Sequence, residues 1–144
     1  MTIAGIPHGG FRTISQIVGT NRLVFQGRQS GLAVAIDLLE THTSGAPVVD
    51  DGNKLIGFIS EFDILRALQT GVDLAKARAH QIMAKSPIVV KESTSVEEAV
   101  KIMEDLHLLV LPVEKNGSVV YSVTRHDLLR AWIGLGPGLE EHPT

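Results

Sequence analysis

Two stretches decide the fold. The first is Gly45-Ala46-Pro47-Val48-Val49-Asp50, followed by the polar turn Asp51-Gly52-Asn53-Lys54 and then Leu55-Ile56-Gly57-Phe58-Ile59-Ser60-Glu61-Phe62-Asp63-Ile64-Leu65-Arg66-Ala67-Leu68. The second is Val110-Leu111-Pro112-Val113-Glu114, a turn through Lys115-Asn116-Gly117, and then Val119-Val120-Tyr121-Ser122-Val123-Thr124-Arg125-His126-Asp127-Leu128-Leu129-Arg130-Ala131-Trp132. They match element by element: a Pro-Val strand, a Gly/Asn turn, a β-branched strand, a Ser/Thr-x-x-Asp segment and an apolar-periodic tail. An internal repeat of this kind governs how the rest of a chain is read.

Working outward, each copy is preceded by a helix. Ser30 to His42 carries Leu32, Ala35, Ile36 and Leu39 at helical spacing, and Ser95 to Leu106 carries Val96, Ala99, Val100 and Met103. Ser95 and Glu98 have the form of a capping box. Each helix leads into two short apolar runs joined by a turn, the pattern of a hairpin with a loop of a few residues. Pro47 and Pro112 are expected near the start of the first hairpin strand, where a missing N–H is tolerated. Second helices are expected over Glu61 to Gln69 and Arg125 to Ile133, and short leading strands around Leu23-Val24-Phe25 and Ile88-Val89-Val90. Each copy is then β-α-β-β-α. Such a unit buries little surface alone. Two units packed through their sheets with pseudo-twofold symmetry, sharing one core, give an α+β fold. The segment from Thr70 to Met83 links them, with Val72, Leu74, Ala75 and Ala77 suggesting partial helix.

Composition bounds the function. The 144 residues suit one ordinary domain or two small interlocked ones. Hydrophobic residues make up 44% but aromatics only 4%, so aliphatic side chains must fill the core. A net charge of −3 offers no basic surplus for nucleic acid and no acidic excess for disorder. With no cysteine, disulfides, thiolate metal sites and cysteine nucleophiles are excluded. The first residues lack a signal-peptide pattern, and no apolar run reaches the ~20 residues of a membrane helix. A soluble, cytoplasmic protein is expected, with no nucleic-acid or membrane partner.

Helix, Pro-Val strand, Gly/Asn turn, Gly-h-h-Ser/Thr-x-x-Asp segment and closing helix, occurring twice, resemble the cystathionine-β-synthase (CBS) domain. The pair, often called a Bateman module, covers about Ile14 to Trp132. On this resemblance the chain divides into an N-terminal segment 1–13, repeat 1 over 14–69, a linker 70–81, repeat 2 over 82–134 and a mobile tail 135–144. The resemblance implies a regulatory ligand containing adenosine, commonly AMP, ADP or ATP. In some members it is S-adenosylmethionine, an NAD derivative or a cyclic dinucleotide. It also implies a homodimer, often a flat disc of four repeats. No resident cofactor is implied. The expected function is that of a stand-alone sensor for an as yet unidentified regulated protein. The alternative is a constitutive dimerisation or scaffold module with degenerate pockets.

The candidate ligand contacts are Ser60, Asp63 and Gly57 in repeat 1, and Thr124, Arg125, His126, Asp127 and Tyr121 in repeat 2. A helix N-terminus presents unpaired N–H groups and partial positive charge, both suited to phosphate. Ser60 or Thr124 adds a hydroxyl. Asp63 or Asp127 lies one turn on and can accept from ribose hydroxyls, bonds worth roughly 1.5–3 kcal/mol. Ala46, Val48, Leu111 and Val113 are candidates for an apolar adenine slot. Against this stands a plainer reading, that Ser/Thr-x-x-Asp before a helix is simply an N-terminal cap.

The two sites differ. Gly57 occupies the family's glycine position and allows close approach of a ligand or a neighbouring strand, whereas Glu61 places negative charge near the phosphate position. In repeat 2, Arg125 and His126 favour an anion, but Tyr121 replaces the glycine, where its ring obstructs the cleft or stacks on a base. The second site is therefore the expected anion site. His42 and His107 match across the repeats at helix C-termini, where His side chains commonly meet terminal carbonyls; no metal site is assigned to them. Arg66 and Arg130 also match and are read as solvated helix-face residues. Trp132 is expected to anchor the last helix. No nucleophile elbow, Gly-rich phosphate loop or H-E-x-x-H motif is present, so no enzyme activity is expected.

Overall fold

The computed structural model of the chain describes residues 12–17 and 21–135. The expected mobile tail and most of the N-terminal segment lie outside the described residues. Eleven elements follow one another: β1 (Phe25–Gln26), α1 (Gly31–Thr41), β2 (Gly45–Val49), β3 (Leu55–Ser60), α2 (Glu61–Gln69), α3 (Ala79–Ile82), β4 (Val90–Lys91), α4 (Val96–Leu106), β5 (Val110–Lys115), β6 (Ser118–Thr124) and α5 (Arg125–Trp132). A 3₁₀ turn at Ile14–Gln16 precedes them. The fold is α+β and twofold repeated, with two three-stranded sheets of order β1-β2-β3 and β4-β5-β6. In each sheet the first pair is parallel and the second antiparallel.

Local chemistry accounts for the element ends. The Ser30 hydroxyl accepts from the Ala33 N–H at 3.1 Å and starts α1. The Ser95 hydroxyl accepts from the Glu98 N–H at 3.0 Å and starts α4. Only this forward half of the expected Ser95–Glu98 box is formed. Both helices end on a histidine in the left-handed region, His42 at φ 53° and His107 at φ 55°. Buried Val34 and Leu38 face one core, and buried Val96, Ala99 and Met103 face the other.

The hairpins differ from one another. Between β2 and β3, the Asp50 carboxylate accepts from the Gly52 and Lys54 N–H groups, both at 2.9 Å, and so closes a five-residue loop. Between β5 and β6 only Asn116 and Gly117 intervene, both at positive φ (54° and 82°), as a type I′ turn demands. The leading strands are two residues long and begin later than the sequence suggests, at Phe25 and Val90.

Each proline is the third residue of its strand, near the start as expected, and that strand is the central one of its sheet. Pro47 opposes Phe58, whose N–H and C=O point the other way and pair with Ala84 at 2.9 and 2.8 Å. Pro112 opposes Ser122, whose N–H goes to the Asn21 carbonyl at 2.9 Å. Neither proline therefore forfeits a ladder bond on that side, which removes the usual objection to Pro inside a sheet.

The expected single shared core is instead two clusters, one in each repeat. The sheets still meet, with β2 packing on β5 and β6. What ties the halves together is an exchange of lead-in segments. The turn at Ile14–Gln16 leads into repeat 1, yet Ile14 is fully buried in the core of repeat 2 and its N–H donates to the Thr94 carbonyl at 2.9 Å. The segment around α3 precedes repeat 2, yet Ala79 is fully buried in the core of repeat 1, with Ile82 and Met83 packed against it. Thr13 bridges to Ser95, and Arg78 to Ser30, in matching places. Within the linker, residues 73–77 form turns and not the expected helix, which comes later as α3; buried Leu74 pins the linker to repeat 1.

Candidate functional site

The two Ser/Thr-x-x-Asp segments fold alike. At α5 the Thr124 hydroxyl accepts from the Asp127 N–H at 3.1 Å, and the Asp127 carboxylate accepts from the Thr124 N–H at 2.9 Å. At α2 the Ser60 hydroxyl accepts from the Asp63 N–H at 3.2 Å, and the Asp63 carboxylate accepts from the Ser60 N–H at 2.9 Å and from its hydroxyl at 3.0 Å. Both are reciprocal capping boxes, so the plainer reading of the motif is realised in each copy.

The remaining carboxylate oxygen is also engaged. Asp63 Oδ1 pairs with Arg66 at 2.7 Å, where Arg66 is largely exposed. Asp127 Oδ1 lies 3.5 Å from Arg130, and both side chains are largely shielded from solvent. Arg130 is thus not the solvated helix-face residue expected of it; the covered carboxylate draws it inward. A ribose hydroxyl reaching Asp127, only 5% exposed, has to share that oxygen with Arg130.

The first turns of α2 and α5 are less open to an anion than a bare helix end. The Glu61 N–H donates to the Ser44 carbonyl at 2.9 Å and the Arg125 N–H to the Leu109 carbonyl at 3.1 Å. With the Asp63 and Asp127 N–H groups already capped, at least two of the first three N–H groups of each helix have internal partners. Backbone recognition of phosphate is therefore weaker here than the sequence suggests, and side chains must carry it.

A cleft between the repeats supplies such side chains. It measures about 280 Å³ and is lined by His42, Thr43 and Ser44 from the α1–β2 connection of repeat 1, and by Leu109, Val110, Thr124, Arg125 and His126 from repeat 2, with Asn21 beside them. That volume lies just below the ~300–1,000 Å³ usual for ligand sites. Of the sequence candidates, Thr124, Arg125 and His126 come together here. His42 to Ser44, Leu109 and Val110 were missed, because which loops face each other across the repeats is a tertiary matter. The signal present in sequence was positional: both loops join the first helix to the Pro-Val strand.

The other candidates lie elsewhere. Ala46, Val48, Leu111 and Val113 are almost wholly buried in the cores, so the apolar lining of the cleft comes from Leu109 and Val110 instead. Gly57 lies beneath the lead-in segment: a Cβ there would fall 2.7 Å from the Ala84 carbonyl oxygen and collide with the Met83 side chain. Its lack of a side chain serves close approach of that segment. Tyr121, at the matching position, is buried in the core of repeat 2, with its hydroxyl 3.5 Å from the Ile14 carbonyl. Burial chiefly, then the Glu92 carboxylate, raises its pKa above the ordinary tyrosine value, with Arg22 opposing. Asp63 and Arg66 border a separate groove of about 460 Å³ between α2 and the linker, together with Thr70, Val72, Gln81 and Ile82. Trp132 is 46% exposed and does not anchor α5; Leu128 and Ala131 do. No cluster of potential metal ligands occurs among the described residues.

Comparison with known proteins fits this arrangement. The profile of the CBS domain matches residues 15–70 and 79–134. The chain belongs to the CBS domain family. As a curated relative, the arabinose 5-phosphate isomerase KdsD of Pseudomonas aeruginosa is 33% identical over 87 residues, covering 60% of this chain and 27% of the relative. The chain spans between about a quarter and three fifths of the first curated relatives it matches. Among solved structures, CBSX2 in complex with AMP superposes with a TM-score of 0.71 at 27% identity, over 85% of this chain and 96% of that one. The CBS domain pair of MJ0100, in complex with 5′-methylthioadenosine and S-adenosyl-L-methionine, gives 0.72 at 25% identity, over 82% and 93%. Among the described residues no helix is long and apolar enough to cross a membrane.

Proposed function

We propose that this CBS pair is a regulatory module that binds an adenosine-containing ligand, AMP, ADP or ATP foremost, in the cleft between its repeats. The observation that carries the reading is that cleft. It brings Thr124, Arg125 and His126 of one repeat against His42 to Ser44 of the other, so an anion bound there touches both halves at once. A ligand of this kind favours whichever arrangement of the repeats binds it more tightly, and a partner reads that shift. The solved relatives holding AMP or S-adenosyl-L-methionine support the ligand class. The module acts as a homodimer in the cytoplasm on a separate regulated protein, and is not itself an enzyme. Thr124 and Arg125 hold the phosphate, and Asp127 the ribose through the oxygen it shares with Arg130.

The test is a thermal-shift panel of AMP, ADP, ATP, S-adenosylmethionine, NADH and a cyclic dinucleotide. A true ligand at a hundredfold excess over its Kd raises stability by about 2.7 kcal/mol. Arg125→Ala, on an exposed side chain whose N–H is retained, is expected to weaken a phosphate-bearing ligand about tenfold in calorimetry, roughly one charge-assisted bond, and to leave adenosine unaffected. A panel without any shift removes the sensor reading. It would leave the second reading, a constitutive scaffold, which the self-satisfied capping boxes at Ser60–Asp63 and Thr124–Asp127 favour.

A further inference from the structure

The cleft between the repeats is short of fixed positive charge. Among the described residues that line it, Arg125 is the one side chain charged at every pH, and no carboxylate is present. A phosphate monoester near neutral pH carries a charge of about −1.5 to −2, and a polyphosphate carries more. The first-turn N–H groups that would add to such a site are engaged, that of Arg125 with the Leu109 carbonyl and that of Asp127 with the Thr124 hydroxyl. One guanidinium therefore leaves the anion undercompensated. Imidazoles stand on the two opposite walls: His42 at the end of α1 in repeat 1, and His126 at the start of α5 in repeat 2. Both side chains are exposed.

We propose that His42 is a phosphate-binding residue reaching across the repeats, and that its protonation accompanies binding, so that nucleotide affinity rises as pH falls. This rests on the nucleotide reading above and deepens it by adding a residue and a second input, the proton. Histidine is the side chain whose charge ordinarily changes between pH 5 and 8. An imidazolium beside a phosphate becomes a charge-assisted donor, and the complex then holds a proton that the free module lacks. The other charged groups around His42 decide whether a rival anion takes that role. On α1 they are Asp37 and Glu40. At the start of α2 stands Glu61, whose N–H meets the Ser44 carbonyl. Next to Asn21 is Arg22, whose guanidinium donates to the Val120 carbonyl at 3.2 Å. On α5 the Asp127 carboxylate is taken up by the Thr124 N–H and by Arg130. None of these carboxylates lines the cleft, so the incoming phosphate is the anion placed to hold the imidazolium. His107 offers a control within the same chain. It ends α4 as His42 ends α1, yet it lies outside the lining of this cleft, and the helix start matching Arg125-His126 is Glu61-Phe62.

Calorimetry with AMP and ATP at pH 6 and pH 8, on the wild type, His42→Asn, His42→Lys and His107→Asn, tests this. Asparagine keeps the left-handed cap, at φ 53°, without a titrating group. The second ionisation of the phosphate, near pH 6, is common to all the proteins, so the differences between them carry the result. Between pH 8 and pH 6 the wild type is expected to gain about tenfold more affinity for ATP than His42→Asn gains, roughly one charge-assisted bond. His42→Lys, charged at both pH values, is expected to bind more tightly than the wild type at pH 8 and to gain less on acidification. His107→Asn is expected to follow the wild type. Titrations in buffers of different ionisation enthalpy are expected to show protons taken up on binding by the wild type and fewer by His42→Asn. Equal pH slopes in the wild type and His42→Asn, with ATP still bound, overturn the role of His42 and leave the nucleotide reading standing. A wild type that binds neither AMP nor ATP at either pH overturns this inference together with that reading.

Discussion

Tyr121 shows how a residue acquires a role from its surroundings. It stands where repeat 1 has Gly57, and in both copies the place lies under a lead-in segment. In repeat 1 the segment descends onto the bare glycine; in repeat 2 the tyrosine ring fills the space and its hydroxyl approaches the Ile14 carbonyl. Burial holds its pKa above the ordinary value, so the folded state prefers the neutral phenol. The sign follows from linkage. A raised folded pKa contributes stability that is present below the unfolded value of about 10, and is lost as pH climbs from there through the folded pKa. Denaturant melts are expected to show stability falling above about pH 10 in the wild type and falling less in Tyr121→Phe. An identical alkaline loss in the two proteins would assign the effect to other groups.

At the scale of elements, the helix ends carry the clearest price. His42 and His107 stop α1 and α4 in the left-handed region, where a Cβ is strained and glycine is not. His42 also lines the cleft, so the clean experiment is at His107, which is exposed. His107→Gly is expected to stabilise the protein by up to ~1 kcal/mol, the order of the left-handed penalty, seen as a rise in Tm. No change, or a fall, would mean that the imidazole makes an interaction worth as much as the strain. The paired caps explain why α1 and α4 begin and end at matching residues: capping is local chemistry, set within a few residues of the chain.

For the whole molecule, the exchanged lead-ins matter most. Each repeat is completed by a segment that leads into the other, so neither half owns a closed core. Ile14 is the sharpest case, a fully buried side chain in the core of repeat 2 carried by chain that enters repeat 1. Ile14→Ala is expected to cost about 2–5 kcal/mol, the range for a large aliphatic residue cut to Ala in a core. Chemical denaturation checks this, and hydrogen exchange should show the loss in α4 and β5 as well as locally. A cost under about 1 kcal/mol would show that the lead-in is only loosely docked.

The sequence by itself determined the repeat, its β-α-β-β-α order, the second helices to within a residue, and the Ser30, Ser60, Ser95 and Thr124 start points. These are set by contacts within a few residues: apolar periodicity, hydroxyl caps and turn residues act where the chain is already close to itself. It also brought Thr124, Arg125 and His126 forward as a group, because they are consecutive. Only the tertiary structure decided the rest. It opposed His42–Ser44 to Arg125, sent Ala46, Val48, Leu111 and Val113 into the cores, turned Arg130 inward onto Asp127, and crossed the lead-ins. Those outcomes depend on which distant surfaces come together, and burial of the two sheets, not any local pattern, selects them.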